Sequence, residues 1–399
     1  MVVASTIPSA GHALNGPLTN HRGLCQRCLW RDAANVNRQA KQIEVFYGYA
    51  VYSEYFTDSQ FPPAQAGAFV VANTHTVTGL TLKSPVYLIT GATGFIGRAL
   101  FDYLCNKGAA VRGTSRRADN GAEGWIQVAS IDRNTNWSSA LTHCDVVIHT
   151  AGRAHVLREQ EANPLEQFRK VNVEGSLALA RQAMDAGVRR FVFISSIGVN
   201  GPETPLGQPF TELSTPDPQQ AYAQSKLEAE LALRDLVAGQ SMELVIVRPP
   251  LVYAAHAPGN FARLLGLVGK RFPLPLGRIR NARSMIALQN LVGFLELCLT
   301  HPAAANETFV IADGQDVSTT QLVELLAQGM GHRAKLLPVP VSALRSGLAL
   351  LGRKGLGQQL CGSLQVDASK ARHLLGWQPE ISAADALRDS ARQWLQSRS

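Results

Sequence analysis

The chain is sparing in cysteine and in charge, and it has no long apolar run; each shortage closes off a class of protein. Six cysteines (Cys25, Cys28, Cys105, Cys144, Cys298, Cys361) in 399 residues are too few for a disulfide scaffold, so reduced thiols in a cytoplasmic setting are expected. Cys25 and Cys28 form one CxxC, half of a zinc site with His12 or His21, but no second CxxC follows and no metal is assigned. No stretch approaches the roughly 20 consecutive apolar residues of a membrane-spanning helix. The amino terminus lacks a basic segment followed by an apolar core, which argues against secretion. Arginine and lysine occur only in short clusters such as Arg116-Arg117 and Arg189-Arg190, with no basic run among aromatics, so nucleic acid is not an expected partner. The net charge of +8 then suits an acidic membrane surface or a phosphorylated small molecule as anionic partner, and its sign alone does not choose between them.

What is present is the composition of a packed chain, 46% apolar and 17% charged, and 399 residues exceed one ordinary domain of roughly 100 to 200. Residues 1–83 stand apart. They mix His, Asn, Gln, Thr and aromatics without a sustained period and contain the Phe61-Pro62-Pro63 breaker. A transit peptide, a small accessory segment and translated upstream sequence from a misassigned start compete for them, and the last is favoured.

From Ser84 the pattern changes. Val86 to Thr90 is an apolar run of strand length, a glycine-rich turn follows, and Arg98 to Leu104 has helical spacing ending near Gly108. Strand-like segments recur at residues 110–114, 126–129, 146–150, 190–195 and 244–247, with helical segments between several of them. Strands alternating with helices predict an α/β fold, a Rossmann-type doubly wound parallel sheet, over residues 84–250. Residues 251–399 are expected to form mainly a smaller substrate-binding lobe, interleaved with the first. They include a helix near 290–300, a strand near 307–311 and mostly helix thereafter.

Gly91-Ala92-Thr93-Gly94-Phe95-Ile96-Gly97 lies between the first strand and the first helix. Glycines there let the backbone turn tightly and approach a pyrophosphate, whose charge is met by the amides at the helix start; a turn with no ligand is the rival. The second strand ends in Ser115-Arg116-Arg117, without the acidic residue that holds the ribose hydroxyls of NAD. Arg116 or Arg117 can pair with a 2′-phosphate, which favours NADPH over NADH.

Tyr222 and Lys226 stand four residues apart, on one helix face. A nearby cation favours the phenolate, and a positioned phenol can then give or take the proton of a sugar hydroxyl. Ser196, 26 residues earlier, closes a buried-type strand, where doubly wound sheets bind their ligands.

The glycine loop, Asp145 to Gly152 (DVVIHTAG), Asn172 to Gly175 (NVEG), the Ser196/Tyr222/Lys226 set and Arg248 to Tyr253 (RPPLVY) together resemble the extended short-chain dehydrogenases, in particular the NAD-dependent epimerase/dehydratase family. The resemblance runs over about residues 85–397, and within the family it is greatest to bacterial UDP-N-acetylquinovosamine dehydrogenases, which serve surface polysaccharide synthesis. It implies a cytoplasmic enzyme of UDP-sugars, using NADP or NAD, that dimerises through the helix carrying Tyr222. It places Gly91, Thr93, Gly94, Phe95, Ile96 and Gly97 around the pyrophosphate, Ser130 and Ile131 beside the adenine, Ala151 and Gly152 beneath the cofactor and Pro249 at the nicotinamide amide. Lys226 would also hold the nicotinamide ribose, Ser196 the oxygen at sugar C4, and Asn260 and Arg283 the nucleotide-sugar. Asn172 is read as a structural hydrogen-bonder. Ser130 stands where the family has Asp, and Ala254 where it has Gly.

Dehydration in this family uses an Asp-Glu pair just after the Ser196 strand, where this chain has Ile197-Gly198-Val199-Asn200-Gly201. A C4-keto reductase is therefore expected, with UDP-sugar 4-epimerase as the alternative and a non-catalytic NADPH sensor as a second.

Overall fold

The structure is a computed structural model that describes residues 84–117, 124–154 and 163–398; the amino-terminal extension, with its CxxC, lies outside them. Among the described residues nine strands are found: β1 (Val86–Thr90), β2 (Ala110–Ser115), β3 (Trp125–Gln127), β4 (Val146–His149), β5 (Arg190–Ile194), β6 (Glu243–Arg248), β7 (Leu251–Tyr253), β8 (Met285–Ala287) and β9 (Thr308–Val310). Seven form one parallel sheet in the order β3-β2-β1-β4-β5-β6-β9. The order reverses between β1 and β4, and the crevice beyond their carboxyl ends is where an open parallel sheet receives a ligand.

The sequence explains why these strands are central. Every residue of β4 and β5 is buried, as expected of parallel strands covered on both faces. Along β5 the side chains alternate: Phe191 and Phe193 join the core with Leu88, Leu179 and Leu233, while Val192 and Ile194 join the opposite one with Leu100, Phe294 and Trp377. Full burial of each phenylalanine stabilises the fold by about 2 kcal/mol.

The helices are α1 (Phe95–Asn106), α2 (Ser138–Leu141), α3 (Pro164–Arg169), α4 (Ser176–Asp185), α5 (Ala221–Val237), α6 (Asn260–Gly269), α7 (Leu288–Thr300), α8 (Thr319–Gly329), α9 (Val341–Leu350), α10 (Lys354–Cys361), α11 (Ser369–Leu375) and α12 (Ala383–Gln396). In α1, Gly97, Leu100, Phe101 and Leu104 form the buried stripe. On its outer side Tyr103 donates to Glu296 of α7 at 2.7 Å.

The strands expected in the first lobe lie within two residues of their expected ends. The β7–β8 parallel pair was not anticipated, because three-residue strands are too short to show a period. β9 lies at the edge of the main sheet, parallel to β6. Asp313, just beyond it, accepts from Tyr253 Oη (2.7 Å), Asn290 Nδ2 (2.7 Å) and the Ala287 amide (3.0 Å), tying β7, β8 and α7 together. Phe261, Leu265, Leu326, Leu387 and Trp394 belong to a further hydrophobic core among the carboxyl-terminal elements. Cys144, Cys298 and Cys361 are buried free thiols, whereas Cys105 is exposed on α1. Among the described residues no helix is long and apolar enough to cross a membrane, and no cluster of His, Cys, Asp and Glu fits a metal.

Candidate active site

The β1–α1 turn has the shape of a phosphate cradle. Gly91 has φ +69°, and a Cβ added to it would lie 2.8 Å from the backbone of Ala151. A Cβ on Gly97 would lie 2.5 Å from Thr150 Oγ1. The Gly94 amide donates to Gly91 O at 2.8 Å, closing the turn. No side chain caps the start of α1 among the described residues, which leaves its first-turn amides and dipole to an anion. Ala151 and Gly152, after β4, thus lie directly against the glycine turn. These features fit a dinucleotide. Gly91→Ala is expected to cost about 1–3 kcal/mol in denaturant unfolding and to weaken nicotinamide cofactor binding; an unchanged protein would show that the turn tolerates a Cβ.

Ser196 follows β5, Lys226 bonds to the last carbonyl of that strand, and Tyr222 lies one turn before Lys226 on α5. Ser196 is the N-cap of a single 3₁₀ turn (Ile197–Val199), its Oγ accepting from the Gly198 amide at 3.1 Å. Tyr222 and Lys226 lie in the first two turns of α5. Lys226 is buried, donates to Ile194 O at 2.7 Å and sits 4.3 Å from the centre of the Phe193 ring. A Cβ on Gly152 would lie 3.6 Å from Lys226 Nζ, so the lysine reaches from α5 to the β4 end of the crevice. The Tyr222 ring meets Phe168 edge-on, centroids 6.0 Å apart.

Burial pushes the Tyr222 phenol up to about 12. It also pulls the Lys226 ammonium down to about 7, a fall opposed by the negative charge of Glu230. The native value lies below the ordinary lysine value of 10.5, so between these values the unfolded chain binds more protons and stability rises with pH. Below about pH 7 both states are protonated and the penalty is complete. Denaturant unfolding at about pH 7 and about pH 9.5 is expected to show that rise in the unaltered protein and a smaller one in Lys226→Met. Equal rises would show that Lys226 does not titrate in this window.

Two buried networks brace these groups, and only the hydrogen-bonding role of Asn172 is foreshadowed in the sequence. Glu230, one turn beyond Lys226, receives Ser195 Oγ and pairs with Arg248 of β6 (Nη2 to Oε2 2.5 Å, Nε to Oε1 2.9 Å); Arg248 also donates to Asn200 Oδ1 at 3.1 Å. The second network runs through a π-helix (Lys170–Gly175), a form frequent at functional sites. Its Asn172 donates to Ser225 Oγ (3.0 Å) and Arg153 O and accepts from the Arg153 amide, and Ser225 donates to Tyr222 O at 2.7 Å. Ser176 donates to Asn172 O, which leaves its Oγ to accept from His149 Nε2 at 2.9 Å while Thr90 donates to His149 Nδ1 at 2.6 Å. That is a neutral imidazole, in keeping with burial that drives His149 down to about 3. The interval of one helical turn between Lys226 and Glu230 was the one signal in the sequence that could have pointed to the first network.

The remaining candidates are more dispersed. Arg116 and Arg117 are exposed beyond β2. Ser130 is exposed, and the Ile131 side chain packs against Gly175. Thr93 is exposed in the turn, and Phe95 and Ile96 open α1, half-buried. Pro249 is buried, its carbonyl accepting from the Ile197 amide at 3.0 Å. In the second lobe Asn260 donates to Gln359 Oε1 at 2.9 Å, and the half-buried Arg283 donates to Gly362 O at 3.1 Å.

Comparison with known proteins agrees with this fold. Residues 87–312 match the NAD dependent epimerase/dehydratase family. A UDP-glucose 4-epimerase of Vibrio cholerae is 41% identical over 313 residues, covering 78% of this chain and 95% of that protein. A short-chain dehydrogenase/reductase superfamily protein of Agrobacterium tumefaciens, solved with bound NAD, superposes with a TM-score of 0.63 at 22% identity (78% and 98% of the two chains). The UDP-glucose 4-epimerase of Thermotoga maritima, solved with UDP-glucose, does so with a TM-score of 0.62 at 20% identity (78% and 99%).

Proposed function

Because the chain belongs to the NAD dependent epimerase/dehydratase family, we propose that it is an enzyme of UDP-linked sugars that exchanges a hydride and a proton at sugar C4. The observation that carries this is Tyr222 and Lys226 on one face of α5, beside Ser196 at the carboxyl end of β5. A nicotinamide held by the Gly91–Gly97 turn would accept the hydride from C4 or return it. Tyr222 as phenolate takes the proton of the C4 hydroxyl; as phenol it gives the proton to the C4 carbonyl oxygen. A charged Lys226 favours the phenolate, which keeps the base available nearer neutral pH and eases the phenol's loss of its proton. Ser196 hydrogen-bonds the same oxygen and fixes the sugar against Tyr222. Thr93, Phe95, Ile96, Ser130, Ile131, Ala151, Gly152 and Pro249 line the dinucleotide, and Asn260 and Arg283 take the nucleotide diphosphate.

Two net reactions share these steps. The 41% identity to a UDP-glucose 4-epimerase supports 4-epimerisation, in which the hydride leaves one face of C4 and returns to the other. The exposed Arg116-Arg117 pair, with no acidic residue at the end of β2, supports NADPH as cofactor and so a reductase, for which the sequence resemblance suggests a UDP-linked 4-keto-6-deoxy amino sugar as substrate and UDP-N-acetylquinovosamine, for surface polysaccharide, as product. The stretch Ile197–Gly201 has no carboxylate, which speaks against dehydration.

Supplying the purified protein with each substrate separates them. Interconversion of UDP-glucose or UDP-N-acetylglucosamine with its C4 epimer, without consumption of added cofactor, supports the epimerase. Stoichiometric oxidation of NADPH or NADH by the 4-keto sugar supports the reductase and identifies the cofactor. Inertness toward all of these would overturn the C4 reading.

A further inference from the structure

The second lobe carries a charge pattern that nucleotide-sugar chemistry does not require. Residues 244–295 and 325–366 contain twelve Lys and Arg and no Asp or Glu. Arg248 is buried against Glu230, but Arg263, Lys270, Arg271, Arg278, Arg280, Arg333, Lys335, Arg345 and Arg353 are exposed. None of these nine forms an ion pair with a carboxylate among the described residues.

Large apolar side chains are exposed on the same elements. Of the twelve found exposed among the described residues, six (Leu267, Phe272, Leu337, Leu350, Leu351 and Leu356) fall between residues 267 and 356. Leu350 and Leu351, at the end of α9, are the extreme case at 89% and 74% exposure. Helix α9 has no fully buried residue; it folds back onto α10, where Gly357 lies against Leu348. The fold gathers these segments. The Leu274 amide donates to Lys335 O and the Leu337 amide to Leu274 O, both at 2.8 Å, joining the loop that bears Phe272 to the strand-like segment before α9. Asn260 joins α6 to α10 through Gln359.

Protruding leucines on segments that carry cations and no carboxylate are the pattern of a protein that lies on a bilayer, with apolar tips in the acyl boundary and cations at the headgroups. A protein interface would instead centre on aromatic residues with charge depleted at its core. We propose that the second lobe is a peripheral docking surface for an anionic phospholipid bilayer, entered by the Leu350-Leu351 tip and held by the surrounding arginines and lysines. The surface adjoins Asn260, so docking would set the mouth of the nucleotide-sugar site beside the membrane.

The test is sedimentation of the full chain with phosphatidylcholine vesicles, with and without about 30% phosphatidylglycerol. Binding is expected to the anionic vesicles alone and to weaken in about 0.5 M salt. Leu350→Asp with Leu351→Asp, and separately Arg345→Glu with Arg353→Glu, should each lower it about tenfold with thermal unfolding and cofactor binding unchanged. Absence of binding to anionic vesicles, or binding indifferent to both pairs of substitutions, overturns the proposal. So does salt-sensitive binding of nucleic acid, or self-association lost in the leucine pair, in a protein that ignores vesicles.

Discussion

Tyr222→Phe is expected to fold and bind nicotinamide cofactor as the unaltered protein does, yet to lose turnover by about 10²- to 10⁴-fold, the range for removing a positioned acid or base. Only the hydroxyl is removed. The ring remains edge-on to Phe168, and α5 keeps the backbone carbonyl of residue 222 that accepts from Ser225. Lys226 retains its bond to Ile194 O, so a loss of activity cannot be laid to a displaced lysine. Single-turnover rates with saturating substrate and cofactor are the measurement. Activity within a factor of a few of the unaltered protein would remove Tyr222 from the chemistry and leave the C4 reading without its acid and base.

Glu230→Ala is expected to destabilise the fold by about 3–5 kcal/mol, the cost of leaving a buried charge without its partner. The side chains of Glu230 and Arg248 are 1% and 6% exposed, so water cannot replace what is removed. Ser195, next to the candidate Ser196, loses its acceptor at the same time. Replacing both members, Glu230→Leu with Arg248→Met, should recover much of the loss, since an apolar pair of similar volume is often as stable as a buried ion pair. Urea unfolding of the single and double variants measures this. A single variant within about 1 kcal/mol of the unaltered protein would mean that Arg248 finds other partners; Asn200, 3.1 Å from it, is the nearest at hand.

The candidate catalytic and cofactor motifs stood out along the chain because each depends on local spacing. The strand, glycine turn and helix from Val86 to Asn106 span one supersecondary unit, and Tyr222 and Lys226 share a face because a helix returns to it after four residues. Parallel order followed from the alternation of strand and helix. Residues 85–397 carried the resemblance to the family to which the chain belongs, and with it the expectation of an enzyme. The choice between epimerase and reductase was not legible, since the same serine, tyrosine and lysine serve both.

Other features depend on partners far apart in sequence, and no periodicity announces them. Asp313 binds Tyr253, 60 residues away, and Asn172 binds Ser225 across 53; each pairing exists only after the sheet order is set. The π-helix at Lys170–Gly175 hides within an ordinary helical pattern, because one extra residue in a turn leaves no mark on composition. The basic segments were diluted in the whole-chain charge of +8, and only folding left the apolar residues beside them exposed. Sequence by itself determined the doubly wound sheet and its short-range chemistry, because hydrophobic period and helical spacing act between neighbours. Tertiary structure alone decided what braces that chemistry and which surface surrounds it, because burial and long-range pairing arise only when distant segments meet.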